Sequence, residues 1–196
     1  EQRLHAALAD APGDLADVAF TLQCGRRGFG QRRWLVAASG AEAVDRLANP
    51  KPGVSGKRAL GDALPELAFA FPGQGSQYAE MGRGLYRSEP VFREHYDACC
   101  DLLAPLMGGD PRAIFWSEDP QTLVATSVTQ PAVMALEYAL GQLLIAWGLT
   151  PTALIGHSIG ELACAALAGV MSLPDALAIV HERGRLMQAL PAGSMP

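Results

Sequence analysis

The chain has 196 residues, enough for one medium domain or a domain with a smaller appendage. Hydrophobic residues make up 49% and charged residues 18%, which excludes a disordered chain. The net charge of −5 leaves no electrostatic case for binding nucleic acid or an anionic membrane surface.

The four cysteines, Cys24, Cys99, Cys100 and Cys164, show no C-x-x-C spacing, and two of them are adjacent. Neither a disulfide framework nor a metal site is expected, and reduced thiols fit a cytoplasmic location. The opening "EQRLHAALADAPGDLADVAF" has acids where the apolar core of a secretory leader would lie. The longest apolar segment, residues 132–149, contains Glu137 and Gln142, so it reads as a buried helix and not as a membrane span. The chain starts without a methionine inside a helical pattern and stops just after another, so it is expected to be part of a longer polypeptide.

Residues 1–60 differ in texture from the rest. A short helix is predicted over 15–23, a strand over 31–38 ("QRRWLVAA") and a helix over 41–48. The stretch "NPKPGVSGKRALGD" (49–62) is rich in Pro, Gly and Lys and reads as a linker. From residue 67 a new pattern begins. "LAFAF" (67–71) is a continuous apolar run closed by Pro72–Gly73, which predicts a buried parallel strand. Helices are predicted at about 90–106 and 130–147, a second apolar strand over 152–155 and a helix over 159–168. A last helix starts near Ser172, where Ser172-x-x-Asp175 resembles a capping box and Pro174 suits a first turn. Strands alternating with helices predict an α/β fold with a parallel sheet, preceded by a small α/β unit.

"GHSIG" (156–160) is a G-x-S-x-G pattern with an apolar strand before it and a helix after it. A serine at such a turn is held out of the sheet with its hydroxyl exposed, while the glycines let neighbouring backbone pass close. Ser158 is therefore a candidate nucleophile. The following N–H, that of Ile159, sits at a helix N-terminus where it can meet a developing oxyanion. A second glycine-rich turn, "FPGQGSQ" (71–77), follows the first strand and lacks the G-K-[ST] of a phosphate loop. Its bland reading is a strand-exit loop; its functional reading makes the Gln74 N–H a second oxyanion donor.

In the last helix Ala176, Ile179, Val180, Leu186, Met187 and Leu190 fall on one face, and Arg183 sits amid them. Such an arginine either snorkels to water or meets an anion, and its planar fork matches a carboxylate. The base that would activate Ser158 is harder to find. His157 adjoins the serine and leaves the turn in another direction, towards the pocket wall. His181 lies about 160° around its helix from Arg183. His5 belongs to the appendage, and His95 lies in "REHYDACC", a stretch that reads as solvent-facing.

"AFAFPGQGSQYAEMGRGLY", "TQPAVMALEYAL", "ALIGHSIGELACAALAGVMSLPDAL" and "HERGRLMQALPAGSM" occur in this order. Together they closely resemble the acyltransferase domain of modular polyketide synthases and the related malonyl-CoA:acyl carrier protein transacylases. Residues 1–60, with "LADVAFTLQCGRRGFGQRRWLVA", resemble the linker domain between ketosynthase and acyltransferase. The resemblance implies a linker domain over 1–60 and, over 61–196, the N-terminal part of an α/β-hydrolase-like large subdomain. It implies a Ser–His dyad in which Ser158 takes an acyl group from acyl-CoA and passes it to the phosphopantetheine of an acyl carrier protein. By the same resemblance Gln74 and Ile159 supply the oxyanion N–H groups, Arg183 binds the extender carboxylate, and Gln130 and His157 line the pocket. No permanently bound cofactor is implied; malonyl-CoA is a substrate, and the ketosynthase and carrier protein are partners.

Ile159 and "GRLMQALPAG" resemble malonyl-selecting members, so malonyl is expected over methylmalonyl. The family's histidine follows a ferredoxin-like small subdomain that lies beyond these residues, so the 196 residues alone are expected to be nearly inactive. Two other readings fit the elbow alone: a serine esterase of the α/β-hydrolase type, and a non-catalytic scaffold that docks ketosynthase and carrier protein.

Overall fold

The computed structural model describes residues 2–10, 13–59 and 66–191. The chain divides into two compact units, residues 1–65 and 66–196.

In the first unit, α1 (Gln2–Asp10), α2 (Leu15–Cys24) and α3 (Gly40–Ala48) accompany strands β1 (Gln31–Leu35) and β2 (Ser55–Ala59). Polar residues set the helix starts. Asp14 accepts from the Ala16 N–H at 2.7 Å, and Ser39 Oγ accepts from the Glu42 N–H at 3.2 Å, each satisfying a donor that has no intrahelical carbonyl. A small core forms from Leu8, Ala43 and Leu47 with Leu4, Val18 and Leu35 packed around it. The stretch 49–62 is not simply a linker. Its Ser55–Ala59 pairs antiparallel with β1, Leu35 opposite Ser55 and Gln31 opposite Ala59. A turn closed by the Ser55 N–H on the Lys51 carbonyl at 3.0 Å delivers β2 to its partner, so long-range pairing overrides the Pro/Gly composition. Residues 60–62 of that stretch lie outside the described residues.

In the second unit two strands, β3 (Ala68–Phe71) and β4 (Ala153–Gly156), pair in parallel with Ala68 opposite Ala153 and Phe71 opposite Gly156. The helices are α4 (Arg83–Ser88), α5 (Pro90–Met107), α6 (Pro111–Phe115), α7 (Thr126–Ala146), α8 (Ile159–Leu167) and α9 (Leu173–Gln188), with a 3-10 turn at Pro120–Leu123. α7 is the central element. Thr129–Ala135, Ala139 and Leu143 are buried along it, and it packs against α5, α8 and α9. Among the described residues no helix is long and apolar enough to cross a membrane.

Two expectations change here. The apolar run of β3 is buried on one face only: Phe69 and Phe71 point into the core while Ala68 and Ala70 are exposed. Ile155 of β4 is also exposed. His95 is half-buried and not solvent-facing, its ring edge-on to Tyr138 at 5.9 Å. Its neighbours Tyr96, Cys99 and Cys100 are fully buried, because α5 turns that side of "REHYDACC" into the core.

Candidate active site

β4 ends at Gly156, and the His157 N–H extends the pairing by donating to the Phe71 carbonyl at 3.0 Å. The chain then reverses in one residue. Ser158 has φ 56° and ψ −110°, a left-handed value that a residue with a Cβ adopts at a cost of about 1–3 kcal/mol. α8 begins at the next residue. Both glycines of the pattern are sterically required. A Cβ on Gly160 would stand 2.5 Å from the Phe71 carbonyl oxygen, and one on Gly156 would overlap the backbone of Gly160 and Glu161. The G-x-S-x-G spacing thus encodes two close backbone approaches that clamp a strained serine between strand and helix.

The hydroxyl so presented is half-buried and meets a cation. Arg183 Nη2 donates to Ser158 Oγ at 2.8 Å, and Arg183 Nη1 donates to Gln130 Oε1 at 2.7 Å. Gln130, buried in α7, donates from Nε2 to Met187 Sδ at 3.3 Å and to Gln74 Oε1 at 3.4 Å. Gln74 Nε2 reaches Thr126 Oγ1 at 3.1 Å, and the Thr126 N–H donates to Gln188 Oε1 at 2.6 Å. Ser158, Arg183, Gln130 and Gln74 therefore belong to one continuous hydrogen-bonded chain. It joins the elbow, α9, α7 and the loop after β3.

That loop is held by its own side chains. Ser76 Oγ donates to the Gly73 carbonyl at 3.1 Å, and Gln77 Oε1 accepts from the Gly75 N–H at 2.7 Å. At the elbow, the Gly160 and Glu161 N–H groups are taken by the carbonyls of His157 and Ser158. The Ile159 N–H, first in α8, has no i−4 carbonyl to meet. The Ile159 side chain itself is fully buried with Met81 and Val133, so only its backbone is available for chemistry.

His157 is exposed, and its ring lies against Gly73, where a Cβ would stand 2.6 Å from Nδ1. None of His157, His95 and His181 bonds Ser158, whose hydroxyl instead accepts from Arg183. His181 Nδ1 is buried without a hydrogen-bond partner among the described residues.

Arg183 also differs in placement from the expected stripe. The buried face of α9 is Ala176, Leu177, Val180 and Gly184, while Ile179, Leu186 and Leu190 are each more than 40% exposed. The apolar stripe is rotated, and half-buried Arg183 borders the packed face instead of standing amid it. Its inward direction comes from Gln130 and Ser158 and not from apolar neighbours. Three residues of the network, Met187, Thr126 and Gln188, escaped sequence reasoning as site members. Met187 was legible only as an apolar position, and the Thr126–Gln188 link joins residues far apart in the chain.

Known proteins match this chain in sequence and in fold. The family model of the acyl transferase domain matches residues 68–195, and that of the CurL-like polyketide synthase C-terminal region matches residues 1–47. Mycoketide-CoA synthase of Mycobacterium tuberculosis is 43% identical over 92% of this chain, which spans 4% of that protein. The solved acyl transferase domain of ZmaA is 38% identical with a TM-score of 0.87, over 97% of this chain and 45% of that one. A malonyl-transacylase solved with a type II acyl-carrier protein is 34% identical with a TM-score of 0.59, over 66% of this chain and 41% of that one. The chain thus spans less than half the length of these relatives. A strained serine between two required glycines, within a matched segment of this extent, places the chain in the acyl transferase domain family of polyketide synthases.

Proposed function

We propose that this chain contributes the nucleophile and carboxylate-binding half of an acyltransferase that loads an extender unit, malonyl, in polyketide biosynthesis. The observation that carries the reading is the pairing of a strained, presented serine with a guanidinium 2.8 Å from its hydroxyl. Ser158 Oγ attacks the thioester carbonyl of malonyl-CoA, a C–O bond forms, and the C–S bond breaks with coenzyme A leaving as the thiol. The thiol of a carrier-protein phosphopantetheine then attacks the acyl-serine and Ser158 recovers its proton. The N–H groups of Gln74 and Ile159 receive the oxyanion of each tetrahedral intermediate, a donor typically being worth about 3 kcal/mol. Arg183 swings from Ser158 to the free carboxylate, with Gln130 holding its other arm, and His157 lines the entrance. The carrier protein is the acceptor, a role supported by the similar malonyl-transacylase solved in complex with its acyl-carrier protein, and the ketosynthase of the same synthase is the covalent neighbour.

In this reading residues 1–60 are the linker domain that follows the ketosynthase. Residues 61–196 are the first part of an α/β-hydrolase-like large subdomain, and the ferredoxin-like subdomain and dyad histidine lie elsewhere in the polypeptide. A guanidinium cannot accept the serine proton, and general-base help is commonly worth ~10²–10⁴-fold. Residues 1–196 alone therefore acylate slowly. A neutral-ester hydrolase has no use for a cation at its nucleophile, which sets the esterase reading aside.

The test is intact-mass analysis of the full-length protein with malonyl-CoA. A malonyl adduct that Ser158→Ala abolishes is expected. An undiminished adduct in that variant overturns the assignment.

A further inference from the structure

α7 begins in an unusual way. Its N-cap, Ala125, offers no side chain to the first-turn N–H groups. The cap comes from another helix: Gln188, the last residue of α9, accepts from the Thr126 N–H at 2.6 Å. One turn earlier on α9, Gly184 lets the two helices approach closely, since a Cβ there would stand 3.0 Å from the Thr126 carbonyl oxygen. The first turn of α7 is thus pinned to α9 at two points. The loop after β3 is tied to both the first and second turns, because Gln74 Nε2 donates to Thr126 Oγ1 and Gln74 Oε1 accepts from Gln130.

Thr126 is the node. Its backbone takes the cap from Gln188, its hydroxyl holds Gln74, and Gln130 lies one turn further on the same helix face. Gln74 is the residue whose backbone N–H serves as an oxyanion donor in the proposed mechanism. An amide of that kind works only where it is fixed before the charge develops, and small displacements of such groups are costly.

We infer that Gln188 and Thr126 are positioning residues for the acyl-transfer step: Gln188 fixes the start of α7, and Thr126 thereby fixes the Gln74 loop. This rests on the acyltransferase reading. Neither residue touches substrate; both act through Gln74. The inference also explains why α9 carries Arg183 and Gln188 at two heights. One helix sets the carboxylate-binding cation and, through the cap, the oxyanion loop.

The experiment is single-turnover acylation of Ser158 by malonyl-CoA in the full-length protein, followed by mass, with folded fraction measured by circular dichroism. Thr126→Val and Gln188→Leu are expected to slow acylation roughly tenfold each, with the apparent KM changed less than about twofold. Conservative variants that keep the accepting oxygen, Thr126→Ser and Gln188→Glu, are expected to restore the rate. A carboxylate at position 188 also faces the positive end of α7. The inference is overturned if the Val and Leu variants acylate at the wild-type rate, if they raise KM instead, if Ser and Glu fail to rescue, or if lost rate only follows lost folded protein. Absence of any adduct in the wild type removes the acyltransferase reading itself, and this inference with it.

Discussion

Among the polar side chains that helix α7 buries, Gln130 and Glu137 stand seven residues apart and are treated in opposite ways. Gln130 is 1% exposed and every arm of its amide is engaged, by Arg183, Gln74 and Met187. Glu137 is 4% exposed, and neither carboxylate oxygen has a hydrogen-bond partner among the described residues. It lies in an apolar groove walled by Ala68, Phe69, Phe71, Val133 and Leu140. Burial holds its carboxyl up at about 8, so at neutral pH it stays protonated. A buried polar group is cheap when bonded and expensive when not. The first case marks a built site. The second carries its cost as an abnormal proton affinity, where a charged and unpaired carboxylate would cost far more.

The largest effect follows from cutting the satisfied side at its cation. Arg183→Ala in the full-length protein removes the partner of Ser158 Oγ and of Gln130 Oε1 at once. Malonyl transfer is expected to fall on the order of 100-fold, the scale of one lost charge-assisted, two-point contact, while acetyl transfer changes little. Arg183→Lys is expected to recover only a small part, because an ammonium cannot span both oxygens of the pair. Equal losses for malonyl and acetyl would show that the arginine serves the fold and not the carboxylate.

The two buried groups also predict stability changes of opposite sign, a smaller effect. Gln130→Leu leaves Arg183 Nη1 and Gln74 Oε1 without their partner and is expected to destabilise the chain by about 1–3 kcal/mol. Glu137→Met places an apolar side chain of similar length in an apolar groove and is expected to stabilise it. Urea unfolding of both variants at pH 7.5 checks the pair. Destabilisation by Glu137→Met would mean that the carboxyl has a partner in solution.

Much of the candidate site was legible in sequence, and the reason is local sterics. The glycines at 156 and 160 must be glycines because backbone passes within a Cβ's reach, so the elbow writes itself into five residues. The start of α9 is equally local: Ser172 Oγ accepts from the Asp175 N–H at 3.2 Å, the capping pattern read from two letters. What sequence could not show is set by partners far along the chain. β2 looked like linker because its pairing with β1 is invisible in composition. Periodicity alone does not give the buried face of α9, because neighbouring helices decide which residues are covered. Glu137 was legible only as a charge that argues against a membrane span; that it lacks a partner is a property of the groove.

The smallest effect, and the one that isolates Glu137, is a pH dependence. Its carboxyl titrates near 8 folded against an ordinary 4.5. Between those values the folded chain holds a proton that the unfolded chain has released, so unfolding gives up a proton and rising pH favours it. The stability tied to a protonated Glu137 is fully present below about pH 4.5 and is lost progressively up to about pH 8. From pH 6 to pH 7 the folding equilibrium constant is expected to drop by at most about tenfold from this group. Other residues titrate in that range, so the quantity to measure is the difference between wild type and Glu137→Gln, whose amide is neutral throughout. The wild type should lose stability relative to that variant as pH rises. Parallel curves for the two proteins would show that the Glu137 carboxyl ionises at an ordinary pH, and the contrast with Gln130 would then have no energetic basis.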